Sequence, residues 1–183
     1  NVSNFVTDYN NVTLCCWYKP SDVNAVHDSL VRLPGGVAEL RKAWMEQVQF
    51  KVRIGATTYS ATDTSSGIAA GNWYHIAGSY DGNTIRVYID GVEEATTTQA
   101  GSIDSATSNF RIGWVDSSTI NGLVDEVYIY PRALSQQEIT EVMNASGGGT
   151  PDTTPPTPDP MTWSTVPYAT GSTSISMTAT TAS

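Results

Sequence analysis

The sequence predicts an all-β protein built as an antiparallel two-sheet sandwich, and three observations carry that prediction. Apolar and polar residues alternate with period two in several short runs, the pattern of strands with one face on a core and one in water. Asp-Gly pairs, whose residues tolerate positive φ, close turns between runs. The runs recur roughly every 10 to 20 residues, which favours a sandwich over a parallel α/β sheet.

The strands follow in order as "TLCCWYK" (13–19), "VQFKVRI" (48–54), "WYHIAGSY" (73–80), "TIRVYID" (84–90), "NFRIGW" (109–114) and "LVDEVYIY" (123–130). In the second, Val48, Phe50, Val52 and Ile54 share one face while Gln49, Lys51 and Arg53 share the other. In the fourth, Ile85, Val87 and Ile89 oppose Arg86 and Tyr88, and Asp81-Gly82 and Asp90-Gly91 bracket the run. Cys15 and Cys16 are neighbours on a strand, so their thiols point to opposite faces. They read as small apolar fillers; the alternative, a disulfide between neighbours, strains ordinary disulfide geometry.

One helix is expected in "LSQQEITEVMNASGGG", with Ser135 and Glu138 as a capping box, Ile139, Val142 and Met143 as its apolar stripe, and Gly147 as its stop. It is expected to cross the end of the sandwich. Residues 147–160, "GGGTPDTTPPTPDP", read as a linker without apolar side chains to bury. After it, residues 161–183 alternate again, as the first strands of a further, incomplete β-module, so residues 1–146 form the main module.

Charge narrows the function. The 183 residues, 39% of them hydrophobic, carry 9 basic against 18 acidic side chains, a net charge of −9. A nucleic-acid binder needs a basic footprint to displace counterions, and overall this chain is the reverse. An anionic membrane surface is disfavoured for the same reason, and no apolar run approaches the ~20 residues that cross a bilayer. The Thr, Ser and Asn richness and the Pro-Thr linker point to an exported, extracellular protein, secreted or at the cell surface.

"NWYHIAGSYDGNTIRVYIDG", followed by "FRIGW" and "GLVDEVYIYPRALSQQEI", resembles the laminin-G-like (concanavalin A-like) jelly-roll domains of secreted bacterial multidomain proteins. "VTLCCWYKPSD" is similar to that family's Trp-bearing early strand. The resemblance covers about residues 2 to 144 and implies a two-sheet jelly roll, serving mostly non-catalytic attachment to carbohydrate or protein. It departs from the family pattern at Cys15-Cys16 and across "LVRLPGGVAELRKAWMEQ" (30–47), and the family's opening strand is expected before Asn1.

No motif for bond-breaking is present: no Glu-x-Asp-x-x-Glu strand, no Gly-x-Ser-x-Gly elbow, no phosphate loop, no His-Glu-x-x-His. The chain is therefore read as no enzyme. Carbohydrate binding asks for flat aromatic faces and planar polar side chains. Trp17 and Trp73 read as core, whereas Trp114, ending its strand, and Trp44, in the off-pattern segment, are candidate stacking platforms. Arg41, Lys42 and Arg32 around Trp44 would suit an acidic or sulfated glycan; Arg53 and Tyr59 on the polar faces, and Asp116, complete the candidate ligand set. Asp125 is in phase with Leu123, Val127 and Ile129, which aims it at the core side and asks for compensation. Related jelly rolls often hold calcium near the rim, so Asp125 with Asp8 or backbone near Asn121 is the candidate calcium site; the alternative is a structural Asp capping backbone N–H groups. Two functions follow: a polysaccharide- or surface-glycan-binding module, or a structural or adhesive module that binds protein partners or self-assembles by strand exchange. The second draws on an unpaired sheet edge and the strand-like residues 161–183.

Overall fold

Alternation becomes pairing in a computed structural model, which describes residues 5–7, 10–22, 28–64, 67–115, 118–145, 163–171 and 174–179. The elements run β1 (Phe5–Thr7), β2 (Val12–Pro20), β3 (Asp28–Arg32), β4 (Ala38–Lys42), β5 (Val48–Ile54), β6 (Thr57–Thr62), β7 (Tyr74–Tyr80), β8 (Thr84–Ile89), β9 (Val92–Thr98), β10 (Ala106–Ser108), β11 (Arg111–Val115), β12 (Ser118–Thr119), β13 (Gly122–Tyr130), α1 (Gln136–Ala145), β14 (Trp163–Gly171) and β15 (Ser174–Ala179). Each of the six runs expected from alternation is a strand: β2, β5, β7, β8, β11 and β13. β3, β4, β6 and β9 are additions that alternation did not single out.

Two antiparallel sheets form the sandwich, one ordered β12-β11-β3-β4-β5-β6 and the other β13-β2-β7-β8-β9, while β1 pairs with β10 apart from both. The inner faces interdigitate: Val12, Leu14, Cys16 and Tyr18 of β2, Ile76 and Tyr80 of β7, and Ile85, Val87 and Ile89 of β8 meet Leu30, Val31, Leu40, Val48, Phe50 and Val52 of the facing sheet. Gly78 shows how close the layers run, since a Cβ there would lie 2.2 Å from Cγ of Phe50. Full burial of each large aliphatic contributes about 1.5–3 kcal/mol, so this layer is the main source of stability.

Helix α1 lies against the outer face of the five-stranded sheet, not across the end of the sandwich. Ile139 and Leu134 cover Cys15, Ala77 and Tyr88 there, with Tyr130 and Val142 at the edge. The outward phase of β2, β7 and β8 supplies an apolar patch, which one short amphipathic helix suffices to bury. The capping box forms as expected: Glu138 Oε2 accepts the Ser135 N–H at 2.8 Å, and Ser135 Oγ accepts the Glu138 N–H at 3.3 Å. Thr13 ties the approach to the helix, donating to Arg132 O and accepting the Leu134 N–H. Cys16 joins the inner core and Cys15 the helix patch, both as free thiols, so no disulfide links these neighbours.

β13 contains a bulge between Asp125 and Tyr128, with Glu126 at φ 49°. Val124, Val127 and Ile129 pack on the core, whereas Leu123 is 57% exposed. The extra residue shifts the phase within the strand. Asp125 therefore shares its phase with exposed Leu123 and not with Val127 and Ile129, which corrects the premise that aimed it inward.

The chain divides into two compact units, Asn1–Thr150 and Pro151–Ser183, and in the second β14 and β15 pair as an antiparallel hairpin. The expected linker at 147–160 and the stop at Gly147 lie outside the described residues.

Candidate functional site

The six-stranded sheet buries one face and turns an ordered polar face outward. Register fixes its rows. Trp114 lies opposite Ser29, Ser29 opposite Arg41, Arg41 opposite Gln49, and Gln49 opposite Thr62. The next row reads Arg111, Arg32, Glu39, Lys51 and Ser60. Arg53 and Thr58 begin a third. Alternation in β4 and β5 is what brings Arg41, Gln49, Lys51 and Arg53 onto one surface while Leu40, Phe50 and Val52 go inward.

Hydrogen bonds lock this grid. Arg41 Nε donates to Gln49 Oε1 at 2.8 Å, and Gln49 Nε2 donates to Thr62 Oγ1 at 2.7 Å and Ser60 Oγ at 3.3 Å. Lys51 Nζ stands 3.5 Å from Glu39 Oε2. Arg53 Nε donates to Asp104 Oδ2 at 2.8 Å and its Nη1 to Gly35 O at 3.0 Å. Asp104 also accepts the N–H groups of Gly55 and Ala56; against some desolvation, these donors and Arg53 hold its carboxyl below the usual range. Burial lowers the Arg41 pKa, Glu39 works against that, and the charge of Arg32 adds to it.

Trp44 is 57% exposed at the tip of the β4–β5 hairpin, three residues beyond Arg41, and Met45 beside it is exposed too. The tip is built rather than loose. Ala43 N–H bonds Gln47 O, Gln47 N–H bonds Trp44 O, and Ile68 N–H bonds Glu46 O. Lys42, fully buried, donates from Nζ to Met45 O at 3.2 Å. Burial lowers its pKa, with Asp28 and Asp22 opposing. Asp28 in turn accepts the Tyr18 hydroxyl at 2.8 Å, so a buried polar cluster anchors the hairpin from below.

Of the expected ligand residues, the structure gathers Arg41 and Arg53 on this face, with Trp44 at its rim and the backbone of Trp114 in the Arg41 row. Tyr59 is corrected: it pairs with Val52 and packs on the core, so it lies on the inner side of β6. Ile112, expected inward, is 46% exposed. Trp17 is buried, yet against His75 on the outer face of the other sheet, at 5.5 Å between ring centroids. Asp116 and Asp8 lie outside the described residues. Sequence reasoning missed Gln49, Lys51, Arg111, Ser60 and Thr62 as site residues, although the alternation of β5 already placed the first two beside Arg53.

Asp125 is the residue expected to ligate calcium. Its Oδ1 accepts the Glu126 N–H at 2.9 Å, and among the described residues no group of three His, Cys, Asp or Glu side chains converges to hold a metal. Calcium takes 6–8 oxygens, so a site at Asp125 would draw largely on carbonyl oxygens, such as the backbone near Asn121, or on side chains outside the described residues. A recess of about 320 Å³ beside α1, lined by Tyr130, Arg132, Leu134 and Glu138, is less suited to a ligand, since Arg132 and Glu138 already pair across it at 2.7 Å. No helix among the described residues is long and apolar enough to cross a membrane.

The chain belongs to the concanavalin A-like lectin/glucanases superfamily, its residues 1–140 matching that superfamily's laminin-G-type family model. Similar solved structures include a serum-amyloid-P-like pentraxin of Limulus polyphemus, 15% identical with a TM-score of 0.62 over 81% of this chain and 76% of that one. Domain 4 of AbnA, an extracellular arabinanase of Geobacillus stearothermophilus solved with arabinotriose, is 24% identical with a TM-score of 0.62 over 76% of this chain and 69% of that one. The CBM40 of a Ruminococcus gnavus sialidase, solved with α2,3-sialyllactose, is 18% identical with a TM-score of 0.58 over 73% of this chain and 83% of that one. Among curated proteins, mouse (Mus musculus) pappalysin-1 is 28% identical over 102 residues, which span 52% of this chain and only 6% of that relative. The likenesses to solved structures, each under 25% identical, show a shared fold, and a fold does not fix a function.

Proposed function

We propose that this chain carries a non-catalytic polysaccharide-binding module of a secreted or cell-surface multidomain protein, and that the outer face of the six-stranded sheet holds the glycan. The observation that carries this reading is the Arg41–Gln49–Thr62 network across three strands. A guanidinium, a carboxamide and hydroxyls held in one plane offer donors and acceptors at fixed spacing, which suits the hydroxyl edges of a sugar chain. Trp44 at the rim adds a flat apolar surface for the C–H face of a pyranose. Hydrolysis would ask for two acids flanking a bond. On this face Glu39 is engaged by Lys51 and Asp104 by Arg53, which supports a binding role without chemistry.

The test is retardation in native affinity gels containing a panel of neutral and charged polysaccharides, arabinan among them. At least one polymer is expected to retard the protein, and Gln49→Ala combined with Trp44→Ala to abolish that retardation while the melting temperature falls little. A panel that leaves mobility unchanged throughout refutes the reading.

A further inference from the structure

We infer that the glycan taken by this face is anionic, a polysaccharide with carboxylate or sulfate groups along its length; this rests on the carbohydrate-binding reading above. The motive is where the cations sit. The chain has 9 Lys and Arg against 18 Asp and Glu. Five of those cations, Arg32, Arg41, Lys51, Arg53 and Arg111, occupy the register rows of the six-stranded sheet's outer face. Among the described residues two acids pair with them there, Glu39 beside Lys51 and Asp104 beside Arg53. An acidic protein thus carries a positive face, and such asymmetry steers an oppositely charged polymer to it.

The rest of the molecule is charged differently. On the outer face of the five-stranded sheet Arg86 is matched twice, by Asp81 at 2.6 Å and Glu93 at 3.5 Å. On the positive face Arg111 and Arg32 are register partners, which sets two guanidinium-bearing residues side by side on neighbouring strands. The charge of Arg32 also bears on Arg41, in the neighbouring row.

The guanidinium groups are held in place before any ligand arrives. Arg32 lies against Gly36, where an added Cβ would come within 2.7 Å of its Nη2, and Arg53 donates to Gly35 O on the same Pro34–Gly36 turn. Gly35 and Gly36 have φ of 60° and 69°, a conformation that other residues adopt only with strain, so the turn and the two arginines specify one another. Fixed guanidinium groups suit carboxylate and sulfate oxygens geometrically as well as electrically. Gln49 lies among the charges on β5, and Thr58, Ser60 and Thr62 flank them on the edge strand β6; such groups address hydroxyls, which favours a charged sugar chain over an acidic peptide or a nucleic acid.

The experiment measures affinity of the full chain for matched polymers by titration calorimetry. Polygalacturonate is compared with its methyl ester for the carboxylate arm, and dextran sulfate with dextran for the sulfate arm. Poly-glutamate and duplex DNA serve as polyanion controls. One or both charged polysaccharides are expected to bind at least tenfold more tightly than their neutral partners. Binding should weaken as salt rises from 0.05 to 0.5 M, where the screening length shortens from roughly 14 to 4 Å. Arg111→Ala is expected to cost about tenfold, the scale of one charge-assisted hydrogen bond, while Arg132→Ala, off this face, costs nothing. Equal binding of the neutral partners would overturn the inference and leave carbohydrate binding standing. Equal binding of poly-glutamate or DNA would replace it with general polyanion attraction. Failure of every glycan, the neutral ones of the wider panel included, would remove both. The salt series needs no variant, so a misfolded Arg111→Ala does not blunt the test.

Discussion

His75 makes this protein's stability depend on pH in a window set by one side chain. Its ring is 1% exposed on β7, edge-on to Trp17, and among the described residues neither Nδ1 nor Nε2 finds a hydrogen-bond partner. Burial lowers its pKa from the ordinary 6.5 to about 4. The unfolded chain therefore takes up a proton as pH falls through 6.5, while the folded chain does so only near 4. Stability is fully present above 6.5, declines between 6.5 and 4, and levels off below as far as this group is concerned. At 1.36 kcal/mol per pH unit the loss is about 3 kcal/mol, a large share of the ~5–15 kcal/mol that holds a domain together. Asp90 opposes it in part, because burial raises its pKa despite the His75 N–H it accepts, so that it gains protons in the folded state first. Asp81, Asp104 and Glu138, whose pKa values are lowered, lose their contribution at still lower pH. Urea melts followed by tryptophan fluorescence at pH 7.5, 6.5, 5.5 and 4.5 should show the decline. His75→Phe, which keeps a ring against Trp17, should flatten it. A midpoint that stays constant over this range, or a slope that survives in His75→Phe, would refute the argument.

Four further outcomes are expected. Gly78→Ala places a methyl inside the Phe50 ring and should cost about 3 kcal/mol or more, read by denaturant midpoint, because overpacking moves both sheets. Ser135→Ala removes the helix cap and should cost about 1 kcal/mol, with the loss confined to the slow-exchanging amides around α1. Cys15, whose pKa burial pushes up to about 12, and Cys16, pushed higher still, should resist a thiol reagent in the native protein and both react after unfolding. If Asp125 ligates calcium, millimolar calcium should raise the melting temperature by several degrees and Asp125→Asn should abolish the rise; an unchanged melting temperature would remove the metal reading.

What was legible in the sequence follows from how strongly each strand alternates. β5 and β8 bury one face and leave the other more open, and β2 has its second face covered by the helix patch, so period two reads through them. The capping box of α1 was equally plain because its chemistry is local. The docking of α1 was not, since it depends on the apolar patch that Cys15, Ala77 and Tyr88 form only once β2, β7 and β8 are side by side. Asp125 shows the opposite failure: a single bulged residue, Glu126, shifted the phase on which its assignment stood. No composition rule announces such a bulge.

Two of the unread strands, β3 and β4, carry Arg32 and Arg41 of the positive face, beside Lys51, Arg53 and Arg111 on strands that alternation did show. β3 buries Leu30 and Val31 in succession across a register shift against β4, so its alternation breaks, and the Pro-Gly-Gly turn follows at once. β4 and β6 alternate between core residues and charged or hydroxyl residues, but the segment around β4 keeps two buried groups that sequence scoring counts as polar, Glu39 and Lys42. A sheet that only supports a core would be expected to avoid them. Here Lys42 holds the hairpin that displays Trp44, and Glu39 sets Lys51 between two rows of arginine. Departures from local rules collect where structure serves binding. On that ground Lys42→Met, which fills the same space but takes the cation away from buried Asp28, should cost about 3 kcal/mol of stability and loosen the tip. Binding should then fall through Trp44 alone, and iodide quenching of its fluorescence should rise. If quenching and affinity both stay at the native level, the buried lysine has no part in presenting the rim.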